Sequence, residues 1–297
     1  MTSPAAPFGR VLTAMVTPFT DDGELDLDRA ATLADSLVAQ GNDGLVVSGT
    51  TGEASTTSDD EKSTLLRAVV DAVGSRAHVL AGVGTNDTRH TVELARAAEK
   101  AGASGLLVVS PYYSRPPQAG LRAHVERVAG STDLPVMLYD IPGRTAVPFH
   151  TETLEALAQH PQVVAVKDAK DDLGATSELL RTTDLAVYSG TDQLNLPLLA
   201  IGGVGMVSVV SHVVTPQLVE LVRAFDAGDV ARARELHLQL QPVYRGMFRT
   251  QGVILAKAAL ALQDTPVGPV RLPLVNATEQ ERALLAQDLT AGGVALA

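Results

Sequence analysis

Lysine and tyrosine are scarce in this chain, five of each, so the place of each one is informative. Lys167 follows Val163-Val164-Ala165-Val166 and closes an apolar run of the kind that is buried on both faces of a parallel sheet. An ammonium there loses its water, which disfavours the charged form and lowers the pKa. Bringing a lysine from about 10.4 to near 7 costs roughly 4–5 kcal/mol. One reading is an amine nucleophile that condenses with a ketone to a Schiff base. The other is a structural contact with Asp168 or Glu53. Gly49-Thr50-Thr51-Gly52 offers backbone N–H groups and two hydroxyls on a turn that a ligand can approach closely, which suits a carboxylate and equally an ordinary polar turn after a strand. Tyr139 ends another apolar run, either as a phenol that shuttles a proton or as a core tyrosine with a satisfied hydroxyl. Arg144, in a Pro-Gly loop, is either a bidentate carboxylate clamp or a solvated arginine.

Eight short runs rich in Val, Leu and Ile supply the frame: 11–16, 44–48, 78–83, 105–109, 135–139, 163–167, 186–189 and 205–209. They alternate with longer segments of helical period, the signature of βα units around a parallel sheet, and eight such units predict a closed (β/α)8 TIM barrel. In that fold the chemistry sits at the C-terminal ends of the strands and in the loops after them. There lie 48–53, 110–116, 139–145, 167–168 and 189–192. Helix starts are expected at Asp28, at Ser58 with Glu61 three residues on, and at Thr151, and helix stops at Gly41, Gly74 and Gly102. Beyond Val209 only helical pattern remains, at 212–227, 230–243, 253–263 and 279–288. The first of these completes a barrel over 1–227, and the rest form a C-terminal helical appendage over 228–297.

Composition narrows the classes. A length of 297 residues is ordinary for one α/β barrel, and 45% hydrophobic with 19% charged residues supports a large core. A net charge of -11 argues against a nucleic-acid surface, which needs clustered Lys and Arg. The absence of cysteine removes disulfides, thiolate nucleophiles and Cys-type metal sites. The seven histidines show no HExxH spacing, and neither Gly82-Val83-Gly84 nor Gly202-Gly203-Val204-Gly205 completes a dinucleotide or phosphate-loop signature. No metal, nucleic-acid or membrane partner is expected. Residues 1–10 lack the basic and apolar regions of a signal peptide, and a cytoplasmic location is the default expectation.

Ordered motifs along the whole chain carry a resemblance: TAMVTPF at 13–19, GTTGE at 49–53, PYYSRP at 111–116, YDIPGRT at 139–145, VKDA at 166–169, then SGTD at 189–192 and GVGMVSV at 203–209. Together they are similar to the dihydrodipicolinate synthase and N-acetylneuraminate lyase family of Schiff-base pyruvate aldolases. The resemblance implies condensation of pyruvate with L-aspartate 4-semialdehyde, in lysine and diaminopimelate biosynthesis, through an imine on Lys167 and with no organic cofactor. By motif position it makes Thr50, Tyr139 and Tyr113 the proton relay, with Tyr113 supplied by a neighbouring subunit. Thr51 would hold the pyruvate carboxylate, Arg144 would orient Tyr139 and receive the semialdehyde carboxylate, and Gly190 and Val207 would line the site. In the resemblance the distinction between the synthases and the sialic-acid lyases rests heavily on Arg144. Aldolases for 2-keto-3-deoxy sugar acids keep similar motifs and are the alternative, and a barrel that only binds a keto acid is a further one.

The same resemblance implies a homotetramer built as a dimer of dimers. It also bears on regulation. Lysine-inhibited members commonly carry histidines on the helix after GTTGE and an acidic residue after strand three, where this chain has Asp59, Lys62 and His90, while Tyr112 and Asn86 remain compatible with such a site. Lysine feedback is therefore expected to be weak or absent. Within SGTD, Gly190-Thr191-Asp192 stands where many members have GDD or GED, a difference at Thr191 to which the sequence assigns no effect.

Overall fold

The computed structural model describes residues 6–297, so the expectation for residues 1–10 falls partly outside it. Eight strands form the barrel: β1 (Val11–Ala14), β2 (Gly44–Val47), β3 (His78–Gly82), β4 (Gly105–Val109), β5 (Val136–Asp140), β6 (Val163–Asp168), β7 (Ala186–Ser189) and β8 (Gly205–Ser208). Each pairs in parallel with its neighbours in chain order, and β8 pairs back with β1 to close the sheet. Each expected apolar run contains a strand or overlaps one to within a residue at its end. These runs are apolar throughout because barrel strands are covered on one side by helices and on the other by their own packed interior.

The helices between strands are α1 (Leu27–Ala39), α2 (Asp59–Val73), α3 (Thr88–Lys100), α4 (Gln118–Ala129), α5 (Pro142–Thr145), α6 (Thr151–Leu157), α7 (Leu173–Thr182) and α8 (Asn195–Ala200), followed by α9 (Ser211–Asp226) after β8. Ser58 and Glu61 form the expected capping box on α2. Two other starts differ from expectation. Asp26, not Asp28, caps α1 by accepting from the Arg29 N–H, which leaves Asp28 in the first turn where the helix dipole favours an anion. Helix α6 begins at Thr151 itself, and its first turn is held from α4: Gln118 Oε1 accepts from the His150 N–H at 3.0 Å and the Thr153 hydroxyl at 2.7 Å. Gly41 and Gly102 stop their helices with φ of 110° and 88°, whereas Gly74 caps α2 in ordinary helical conformation.

The C-terminal extension consists of α10 (Val230–Gln239), α11 (Gln241–Met247), α12 (Gly252–Leu262) and α13 (Glu279–Ala291). The expected helix over 230–243 is two: Pro242 lacks the N–H and clashes with the preceding turn, so the chain restarts after Leu240. Helix α12 packs against α9, α11 and α13 and is buried from Gly252 to Leu260. The segment between α12 and α13 returns to the barrel mouth, where the Phe19 N–H donates to Val267 O at 3.0 Å. No helix among the described residues is long and apolar enough to cross a membrane.

Candidate active site

Tyr139, Lys167 and Tyr188 sit side by side on β5, β6 and β7 in strict register. Side chains alternate along a strand, so Lys167 and Tyr139 share one face while Asp168 and Asp140 point the other way. The outward pair is structural. Asp168 accepts from the Lys170 N–H at 2.9 Å and from the Thr176 hydroxyl, and Asp140 accepts from the Phe149 N–H at 3.2 Å and lies 3.6 Å from Lys170 Nζ. Glu53 is paired elsewhere, with Lys257. Neither proposed structural partner of Lys167 is therefore engaged with it, and among the described residues its amine has no ion pair.

Lys167 is only 5% exposed, and its Nζ lies 4.2 Å from the centroid of the Tyr139 ring. Burial pulls its pKa from 10.5 down to about 8, against the counter-charge of Asp192 and with help from the Arg144 cation. The same burial raises the Tyr139 phenol to about 12, while Arg144 and the Thr50 hydroxyl pull it back. The pair thus combines an amine that has begun to lose its proton at neutral pH with a phenol that keeps one.

Arg144 stands exposed on α5, a single helical turn that begins at Pro142 and that the sequence reading had as plain loop. The Thr145 hydroxyl fixes this turn by donating to Ile141 O at 3.1 Å. Thr50 is exposed and Thr51 buried on the turn after β2. Thr50, Tyr139 and Arg144 line one wall of a cavity of about 610 Å³ at the barrel mouth. Lys167 is not part of that wall but touches Tyr139, which is. Gly190 sits close against the lysine: a Cβ there would lie 3.1 Å from Lys167 Cε and 3.0 Å from Asp168 O, a tight fit that would press on the amine's side chain. Val207 is buried on β8, beside Leu12 of β1 and away from the cavity wall. Tyr113 is not brought into this site at all. It is 90% exposed on the loop after β4, with φ of 72°.

Two features were only partly legible in the sequence. Asp192 is a buried carboxylate that accepts from the Ser208 hydroxyl at 2.5 Å, from the N–H groups of Val209 and Val210, and from the Asn195 amide. These donors favour its charged form as the counter-charge to Lys167, against burial, which raises the Asp192 pKa. Its place in SGTD was visible, its burial was not. The cavity also extends past Thr50 to Asn86 and to Asp59, Lys62 and His90, where His90 Nε2 lies 2.9 Å from Asp59 Oδ2.

The model of the dihydrodipicolinate synthetase family matches residues 7–292. A protein of Streptomyces coelicolor named 4-hydroxy-tetrahydrodipicolinate synthase 2 is 63% identical over 294 residues, 99% of this chain and 98% of its own length. A 4-hydroxy-tetrahydrodipicolinate synthase of Acidothermus cellulolyticus is 65% identical over 97% of this chain and 94% of its own. Among solved structures, the enzyme from Cyanidioschyzon merolae with lysine bound superposes with a TM-score of 0.95 at 42% identity, over 97% of this chain and 99% of that one. The chain belongs to the dihydrodipicolinate synthetase family.

Proposed function

We propose that this chain is a 4-hydroxy-tetrahydrodipicolinate synthase, a Schiff-base-forming lyase that condenses pyruvate with L-aspartate 4-semialdehyde in lysine and diaminopimelate biosynthesis. One observation carries the reading: a buried lysine with a pKa near 8 against a buried tyrosine, in a chain matching synthases end to end. At pH 7 an amine of pKa about 8 is about one-tenth neutral, against roughly one part in three thousand at 10.5, a gain of about 300-fold in nucleophile.

Neutral Lys167 Nζ attacks the pyruvate ketone to give a carbinolamine, which loses water to an imine. A methyl proton leaves to give the enamine, whose carbon attacks the semialdehyde. The amine of the adduct then displaces Lys167 as the ring closes, which regenerates the free lysine. Thr50, Tyr139 and Tyr113 of a neighbouring subunit move the protons. The Thr51 hydroxyl and N–H receive the pyruvate carboxylate, while Arg144 orients Tyr139 and takes the carboxylate of the second substrate. Gly190 keeps the space beside Lys167 open, and Val207 packs the barrel interior. The assembly in this reading is a tetramer of two dimers in the cytoplasm.

The test is borohydride reduction in the presence of pyruvate, with a panel of aldehydes assayed alongside. A mass increase on Lys167 and consumption of aspartate semialdehyde are expected. No adduct on Lys167 removes the imine mechanism, and cleavage of a 2-keto-3-deoxy sugar acid without semialdehyde turnover assigns the chain to the sugar-acid aldolases.

A further inference from the structure

The turn that presents Thr50 and Thr51 is held from the far end of the chain. It is bounded by two residues with left-handed backbone that are not glycine, Ser48 at φ 56° and Glu53 at φ 54°. Residues with a Cβ keep this conformation only where their surroundings impose it. The imposition on Glu53 is visible. Its side chain is 1% exposed, and its two carboxylate oxygens meet different partners: Lys257 Nζ lies 2.7 Å from Oε1, and Oε2 accepts from the Arg271 N–H at 2.8 Å. The Lys257 contact is a close ion pair off the hydrogen-bond direction, and Lys257 also donates to Pro269 O at 2.6 Å. Arg271 in turn donates to Thr56 O at 2.9 Å and pairs with Glu61 on α2. The Phe19 ring faces both cations, 4.4 Å from Lys257 Nζ and 4.2 Å from the Arg271 guanidinium carbon.

Packing alone does not call for this. A buried ion pair gains little over apolar side chains of the same volume, because both charges must be stripped of water. What it adds is position: the Lys257 cation against one oxygen and the Arg271 N–H on the other hold the Glu53 carboxylate from two different segments, and with it the backbone of the turn that carries Thr50 and Thr51. The cavity wall carries the same continuity, since it includes Glu53 together with Gln251, Pro273 and Leu274 of the C-terminal extension.

We infer that Glu53, Lys257 and Arg271 form a positioning set through which the C-terminal extension shapes the Gly49–Gly52 turn for the substrate carboxylate. The inference rests on the pyruvate reading above. None of the three is placed on the reacting atoms: they act through the turn, so their loss weakens pyruvate binding at Thr51 and slows turnover to the extent that Thr50 is displaced with it.

The test uses Lys257→Met and the double variant Glu53→Leu/Lys257→Met in the full chain, with the pyruvate concentration for half-maximal borohydride trapping, steady-state kinetics and thermal unfolding as readouts. Lys257→Met should raise the half-saturating pyruvate for trapping at least tenfold, a change larger than any accompanying fall in kcat at saturating pyruvate, with the aldehyde KM unchanged. The double variant removes the stranded carboxylate. Its Tm should return towards wild type while the pyruvate half-saturation stays raised, and it carries the test if the single variant does not fold. If half-saturation in the double variant matches wild type, the pair only stabilises the fold and the inference is overturned. If wild type itself forms no pyruvate adduct, the functional reading fails, and the positioning role fails with it.

Discussion

Burying the Lys167 ammonium works against folding. A lysine whose pKa falls from 10.5 to about 8 costs the folded state about 3 kcal/mol wherever the folded amine is protonated. The sign follows from linkage: the cost is complete below pH 8, shrinks as pH rises from about 8 towards 10.5, and vanishes above the unfolded value. Lys167→Met should therefore abolish the pyruvate adduct yet stabilise the protein at pH 7 by about 1–2 kcal/mol, once the cation–π contact with Tyr139 is subtracted. Calorimetry would show Tm raised by several degrees at pH 7 and the gain fading between about pH 8 and 10.5; a Tm equal to or below wild type at pH 7 contradicts it. Arg144 supplies a second check. Its cation helps hold Lys167 down, so Arg144→Leu should move the pH midpoint of adduct formation above about 8, and an unmoved midpoint would show that the two charges do not communicate. Lys167 was legible because a lysine that closes a β-branched run is anomalous in its own neighbourhood. What the sequence left open was its partner, since Glu53 is satisfied by Lys257 and Asp192 is buried by β8, both set by contacts between distant segments.

Elements were legible where the determining contacts are local. The capping box on α2 needs only Ser58 and Glu61, three residues apart, and the strands need only their own apolar runs. Asp26 instead of Asp28, the Gln118 clasp on α6 and the helical turn that carries Arg144 depend on partners or on backbone detail outside the local pattern. Helices α2 and α3 also carry the regulatory expectation. Asp59 opens α2 and His90 sits in the first turn of α3; the Asp59 carboxylate is already matched by His90 at 2.9 Å and by Lys62 Nζ at 4.0 Å. An incoming lysine would find that anion satisfied and a half-buried cation next to it. L-lysine at millimolar levels should leave the steady-state rate within twofold of control, and strong inhibition would overturn the expectation. In Lys62→Ala the repulsion is gone, so any residual inhibition should deepen.

For the whole molecule the open surface at Tyr113 matters most. A tyrosine side chain that is 90% exposed, on a loop where Tyr113 and Arg115 both hold left-handed φ of 72° and 51°, is poorly explained by contacts within its own chain. Sequence reading reached Tyr113 only through its motif, because an interface between copies leaves no periodic trace in one chain. If Tyr113 completes the site of a neighbouring subunit, two inactive variants can repair each other. In a dimer of Lys167→Met with Tyr113→Phe, one site lacks both groups, while the other has the intact lysine of one chain and the intact tyrosine of its partner. Random reassociation of equal amounts makes about half of the dimers hybrid, each with one working site, so activity should rise to about one-quarter of wild type. A tyrosine acting within its own chain leaves every site of every hybrid with one lesion, and mixing then restores nothing. The unmixed variants, carried through the same dissociation and reassociation, set the baseline, and native mass spectrometry with one variant isotopically labelled reports whether subunits have exchanged.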